Sequence, residues 1–109
     1  MKELPLLDAV GRVCTLPAGG RSLGIRRFRS LLSRATSRGA TDRGVRLELP
    51  RTIANRFVVH AFVRVERRCC ARFQYRVVDV ARAPLVLEVT ADARDLDDLR
   101  ILYLGIDHD

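Results

Sequence analysis

The chain has 109 residues, 48% of them hydrophobic and 30% charged, with a formal net charge of +7. That is room for one hydrophobic core and no second domain, in a chain too apolar for a disordered tail. No uninterrupted apolar run approaches the ~20 residues that a membrane-spanning helix needs, so no membrane partner is expected.

Pro17, Gly19, Gly20 and Gly24 set residues 1–20 apart as an N-terminal arm, ahead of a single domain over residues 21–109. Ser22 is suited to cap a helix. Leu23, Phe28, Leu31, Leu32 and Ala35 on one face, with Arg26, Arg27, Arg29, Arg34 and Arg38 left for solvent, predict that helix over 23–38, stopped by Gly39. After a polar turn at 39–44, Val45, Leu47 and Leu49 alternate with Arg46 and Glu48, which predicts a strand covered on one face and ended by Pro50. The run from Thr52 to Cys70 contains neither Gly nor Pro. Ile53, Phe57, Ala61, Phe62 and Val65 fall there at helical spacing and predict a helix buried along that stripe.

Residues 73–80 alternate again, with Phe73, Tyr75, Val77 and then Val80 expected inward. A turn at 81–84 and the apolar run 85–90 complete an antiparallel hairpin. Asp95, Asp97 and Asp98 then sit in the first turns of a last helix, favourable at its positive end. Leu96, Leu99, Leu102 and Tyr103 are its buried stripe, and Gly105 ends it. The order α-β-α-β-β-α predicts an α+β domain with a small three-stranded, mostly antiparallel sheet packed by helices.

Charge is unevenly placed. Residues 1–82 hold 18 Lys+Arg against 6 Asp+Glu, whereas residues 83–109 hold 2 against 7. The basic part permits contact with a polyanion. With no convincing helix-turn-helix, and aromatics that suit core positions better than a stacking platform, nucleic acid is not the expected partner. No GxGxxG, P-loop, HExxH or GxSxG string occurs, and a non-enzymatic role is expected.

Glu3, Pro5, Asp8 and Arg12 interrupt the apolar stretch that a secretory signal requires, so a cytoplasmic location is expected. The three cysteines, Cys14, Cys69 and Cys70, agree with that. Their number is odd, neighbouring cysteines rarely pair with each other, and a reducing compartment keeps thiols free. On a helix, Cys69 and Cys70 lie three and four residues beyond Glu66, close to its face. The negative end of the helix dipole opposes thiolate formation there, while Arg67, Arg68 and Arg72 favour it. Adjacent sulfurs suit a soft ion such as mercury, arsenite, cuprous copper or zinc, with Cys14 as the only third thiol in the chain. The spacing does not match a structural zinc site. Glu66 is a candidate oxygen ligand or proton acceptor, although a solvated ion pair is the commoner use of a carboxylate beside arginines. Cysteines that are merely small buried hydrophobes remain the plainer alternative. His60 is nine residues from Cys69 and on the other side of the helix, which argues against a Cys-His dyad, and His108 has no expected role.

The strings Cys14-Thr15-Leu16, Gly44-Val45-Arg46-Leu47, Glu66-Arg67-Arg68-Cys69-Cys70 and Leu85-Val86-Leu87-Glu88-Val89-Thr90 resemble a bacterial family of small uncharacterised proteins. That family is marked by Glu-Arg-x-Cys-Cys-Pro-Phe and often by an early Cys-Thr-Leu, and similar segments accompany regulators of the mercury-responsive type. This chain has Ala71 and Arg72 where the family usually has Pro and Phe. The resemblance implies that Cys14, Glu66, Cys69 and Cys70 form the metal-binding set of a heavy-metal or redox stress protein. Two alternatives stay open: a thiol redox protein in which Cys14 resolves, and a non-catalytic interaction or regulatory module that binds a protein partner or forms a homodimer.

Overall fold

The computed structural model describes residues 18–69 and 72–105, with the side chains of 26–68 and 72–105. In chain order these form α1 (Ala18–Arg34), β1 (Ser37–Thr41), β2 (Gly44–Leu49), α2 (Ile53–Cys69), β3 (Phe73–Val78), β4 (Leu85–Ala91) and α3 (Ala93–Leu104). The sheet is antiparallel throughout, in the order β1-β2-β4-β3. Among the described residues no helix is long and apolar enough to cross a membrane.

Side-chain alternation gives the sheet one dry and one wet face. Val45 lies opposite Val89 and Val89 opposite Tyr75, and Leu47, Leu87 and Val77 form the next row. Apart from half-buried Val77, these residues are buried, beneath α2 on β3 and β4 and beneath α3 on β1, β2 and β4. The intervening row, Arg46, Glu88 and Arg76, faces away. There Arg76 pairs with Glu88 at 3.1 Å, and Arg46 pairs with Glu48. Phe28 of α1 ties the helices together: its ring lies 6.2 Å from that of Phe62 on α2 and meets Tyr103 of α3 edge-on at 4.7 Å.

The α+β class stands, but the sheet has four strands where three are expected from the sequence. The additional strand is β1, which occupies the predicted helix end and polar turn. Its residues are exposed, apart from half-buried Thr41, so they carry no apolar alternation. What makes it a strand is its backbone ladder to β2, which runs from Ser37↔Glu48 to Thr41↔Gly44. Arg38 and Gly39 are apt residues for such an edge, because charge and poor β-propensity discourage further pairing. Accordingly α1 ends at Arg34 rather than at Gly39. At its other end α1 already includes Ala18, Gly19 and Gly20, so part of the expected arm is helical and Ser22 lies inside the helix rather than capping it. Glycine costs a helix interior only about 1 kcal/mol each, which disfavours but does not forbid this start. Residues 1–17 of the arm lie outside the described residues.

The second correction concerns which side of α2 is buried. Ile53 and Phe57, expected inside, are 85% and 74% exposed; Phe62 is buried as expected, and Asn55, Val59, Val63 and Glu66 are buried with it. Ala61 and Val65 are half-buried. The first turn explains the rotation. Thr52 Oγ1 accepts the Asn55 backbone N–H at 3.0 Å as an N-cap, Asn55 Nδ2 donates to the Pro50 carbonyl at 2.9 Å, and Arg34 donates to Asn55 Oδ1 at 3.0 Å. A buried amide with three partners fixes the helix phase, and Ile53 and Phe57 follow to the outside.

The hairpin and the last helix match expectation, except that β3 ends at Val78 and Val80, expected inward, is 56% exposed in the turn beyond it. The turn after β3 closes through Ala83 N–H to the Val80 carbonyl at 3.2 Å, with Arg82 at a positive φ of 67°. Gly105 adopts the left-handed conformation, and its N–H caps α3 on the Ile101 carbonyl at 3.0 Å.

Candidate functional site

The chemistry expected of the thiols belongs at the C-terminal end of α2, which closes at Cys69. Cys14, Cys70 and the side chain of Cys69 lie outside the described residues. Of the four predicted ligands, Glu66 is therefore the one whose surroundings are defined. It is 9% exposed, on the inward face of α2 with Phe62 and Val63. Glu66 is thus held out of bulk solvent, and it has an interaction partner there. Among the described residues no three of His, Cys, Asp and Glu are grouped as metal ligands.

The three arginines expected around the thiols have separate fates. Arg67 Nη2 donates to the Tyr75 carbonyl at 2.9 Å, which fastens the end of α2 to β3. Arg72 turns to the buried Asp95, 3.3 Å away, and so joins the start of β3 to the first turn of α3. Arg68 is exposed and makes no hydrogen bond or ion pair among the described residues.

Beside this helix end runs an open groove of about 550 Å³, lined by His60, Val63, Arg64, Arg67, Arg68 and Val77. Val63 and Val77 give it an apolar floor. Its cations come from one face of α2, because residues 60, 64, 67 and 68 are separated by four, three and one positions. Sequence reasoning that followed the cysteines passes over this groove. The recurrence of Arg56, His60, Arg64 and Arg68 at intervals of four is the signal that marks it.

At the far end of that row, Asp79 gathers three partners. Arg51 Nε lies 2.8 Å from Oδ1, and Arg56 Nε and His60 Nε2 lie 2.9 and 3.0 Å from Oδ2. A carboxylate accepts only, so His60 Nε2 carries the proton in this contact. The hydrogen bonds from His60 first and Arg56 next, with Arg51 adding to them, hold the Asp79 carboxyl far below the usual carboxylate range despite some opposing desolvation. His60 is thus a hydrogen-bond partner of Asp79.

Asp79→Asn is expected to lower the thermal midpoint at pH 7. Unfolded Asp79 titrates near its ordinary value of about 3.9 and the folded group lower. Its contribution is therefore complete above about pH 4 and fades as the pH falls toward the folded value. Midpoints of wild type and variant, followed by circular dichroism, should converge in strong acid. A gap that widens on acidification contradicts this arrangement.

Comparison of the chain with protein-family models, with curated proteins and with solved structures gives no match in any of the three.

Proposed function

We propose that the chain is a cytoplasmic thiol domain that captures a soft metal or metalloid ion and performs no catalysis. Cys69 and Cys70 are the principal ligands, Cys14 supplies a third sulfur, and Glu66 is the neighbouring carboxylate. The observation that carries this reading is the burial of Glu66 one turn ahead of Cys69. In this reading, a carboxylate held out of water one turn before the thiol pair in sequence takes a proton from a thiol or adds an oxygen ligand. Adjacent sulfurs select soft ions over the hard cations that prefer oxygen. Arg67 and Arg68, in the last turn of α2, oppose the negative helix terminus and favour the thiolate form.

The test is titration of the reduced protein with mercuric ion against a competing small thiol. Replacing both Cys69 and Cys70 by serine is expected to weaken binding by about a hundredfold or more, because it exchanges soft donors for hydroxyls. Unchanged affinity overturns the thiol reading. It leaves the second reading, a module that binds a protein partner or a second copy of itself, which the exposed pair Ile53 and Phe57 on one face of α2 favours.

A further inference from the structure

We propose that the groove between α2 and β3 is a binding site for a phosphate-bearing anion, gripped by the guanidinium groups of Arg64 and Arg68. This site is independent of the cysteines and goes beyond ion capture.

Three observations lead to it. First, α2 contains four arginines and a single acid, Glu66, and that acid is buried. The usual neutralisation of helical arginines by acids three or four residues away is therefore absent from its outer face. Second, the cations converge instead of scattering. Arg64, Arg67 and Arg68 line one concavity with an apolar floor, where like charges repel and an anion relieves them. Third, the one acid at the edge of the groove is already engaged, because Asp79 is shared by Arg51, Arg56 and His60. Arg67 gives one N–H to the Tyr75 carbonyl, which orients it without cancelling its charge. Arg64 and Arg68 have no hydrogen bond or ion pair among the described residues, in contrast to Arg46 and Arg76 on the open face of the sheet, which are both paired.

The geometry favours an extended anion. Four residues of helix advance about 6 Å, so Arg64 and Arg68 place guanidinium groups one turn apart along the groove, with Arg67 between them. A single carboxylate occupies one of these positions, whereas linked phosphates reach several. The flat fork of arginine donors suits the tetrahedral oxygens of phosphate. The same chemistry is offered by a small polyphosphate and by the backbone of a single nucleic-acid strand, and the test separates them.

Binding of sodium tripolyphosphate and of a short single-stranded oligonucleotide should be measured by calorimetry for the full chain at two or more salt concentrations. The Arg64→Ala, Arg68→Ala double variant is expected to lose about tenfold or more in affinity, since each guanidinium makes charge-assisted hydrogen bonds. The Arg46→Ala, Arg76→Ala variant removes the same charge from the opposite face and should bind as the wild type does. If the strand is the ligand, the logarithm of its affinity should fall with that of salt at a slope near −2, about −0.7 for each of three phosphates. Tighter binding of tripolyphosphate with a shallower slope identifies the small ligand. Equal losses in the two double variants, or no binding of either probe by the wild type, overturn the proposal. Both substituted pairs are at exposed positions, and a circular dichroism spectrum confirms that each variant is folded.

Discussion

Phe62→Ala is expected to cost about 3–5 kcal/mol of folding stability, whereas Phe57→Ala, five residues earlier on the same helix, should change it by no more than about 0.5 kcal/mol. Phe62 is 2% exposed and Phe57 is 74% exposed. Removal of the Phe62 ring leaves a cavity beside Phe28, which bridges α2 to Tyr103 on α3, so the loss reaches all three helices. Domains of this size have only about 5–15 kcal/mol of net stability. The midpoint of Phe62→Ala should therefore fall by on the order of 15 °C or more, and Phe62→Leu should recover much of it by refilling the volume. Urea denaturation of the three variants measures this directly. A loss in Phe57→Ala equal to that in Phe62→Ala would mean that the outer face of α2 is covered in solution and that its assignment as exposed is wrong.

That contrast also explains what could be read from the residues alone. β2 and β3 were legible because a half-covered sheet imposes period-2 alternation, which Val45-Arg46-Leu47-Glu48-Leu49 displays, and β4 as the apolar run that completes the hairpin. The end of α3 was legible because Gly105 suits a left-handed cap. The phase of α2 was not legible. Its apolar residues occur on both sides, and the side that is buried includes Asn55 and Glu66, so a hydrophobic stripe points to the wrong one. Three hydrogen bonds to Asn55 decide the matter, and their partners, Arg34, Pro50 and Thr52, all lie outside α2. β1 was hidden for a related reason: Ser37-Arg38-Gly39-Ala40-Thr41 gains strand structure from the free edge of β2, not from its own side chains. At the candidate site, the position of Cys69 at the end of a helix followed from the uninterrupted run that begins at Thr52. The burial of Glu66 depends on the phase of α2 and so could not follow. The groove arginines were visible as a four-residue recurrence, but their convergence needed β3 alongside.

The close approach of β2 to β4 supplies the other large effect. Gly44→Ala should destabilise the fold by about 3 kcal/mol or more, at the upper end of what overpacking costs. Intrinsic preference predicts the opposite sign, since glycine within a strand is less favourable than alanine by about 0.5–1 kcal/mol. Sterics decide between the two. A methyl group on Gly44 would collide with the Val89 carbonyl oxygen and meet the Val89 carbonyl carbon at 2.8 Å and Thr90 Cα at 2.9 Å. All three are backbone atoms, so no rotamer change relieves the clash. Nor can β4 retreat, because it lies between β2 and β3 and is paired to both. The Ala91 N–H bond to the Arg43 carbonyl at 3.0 Å pins the start of β2 as well. Gly39→Ala is the matched control: it lies on the edge strand with open space around its would-be Cβ, and it should be neutral or slightly stabilising. Denaturant midpoints for the two variants distinguish the cases. A Gly44→Ala protein as stable as wild type would show that the β2–β4 spacing differs from the one described, and the helix positions that rest on those strands would have to move with it.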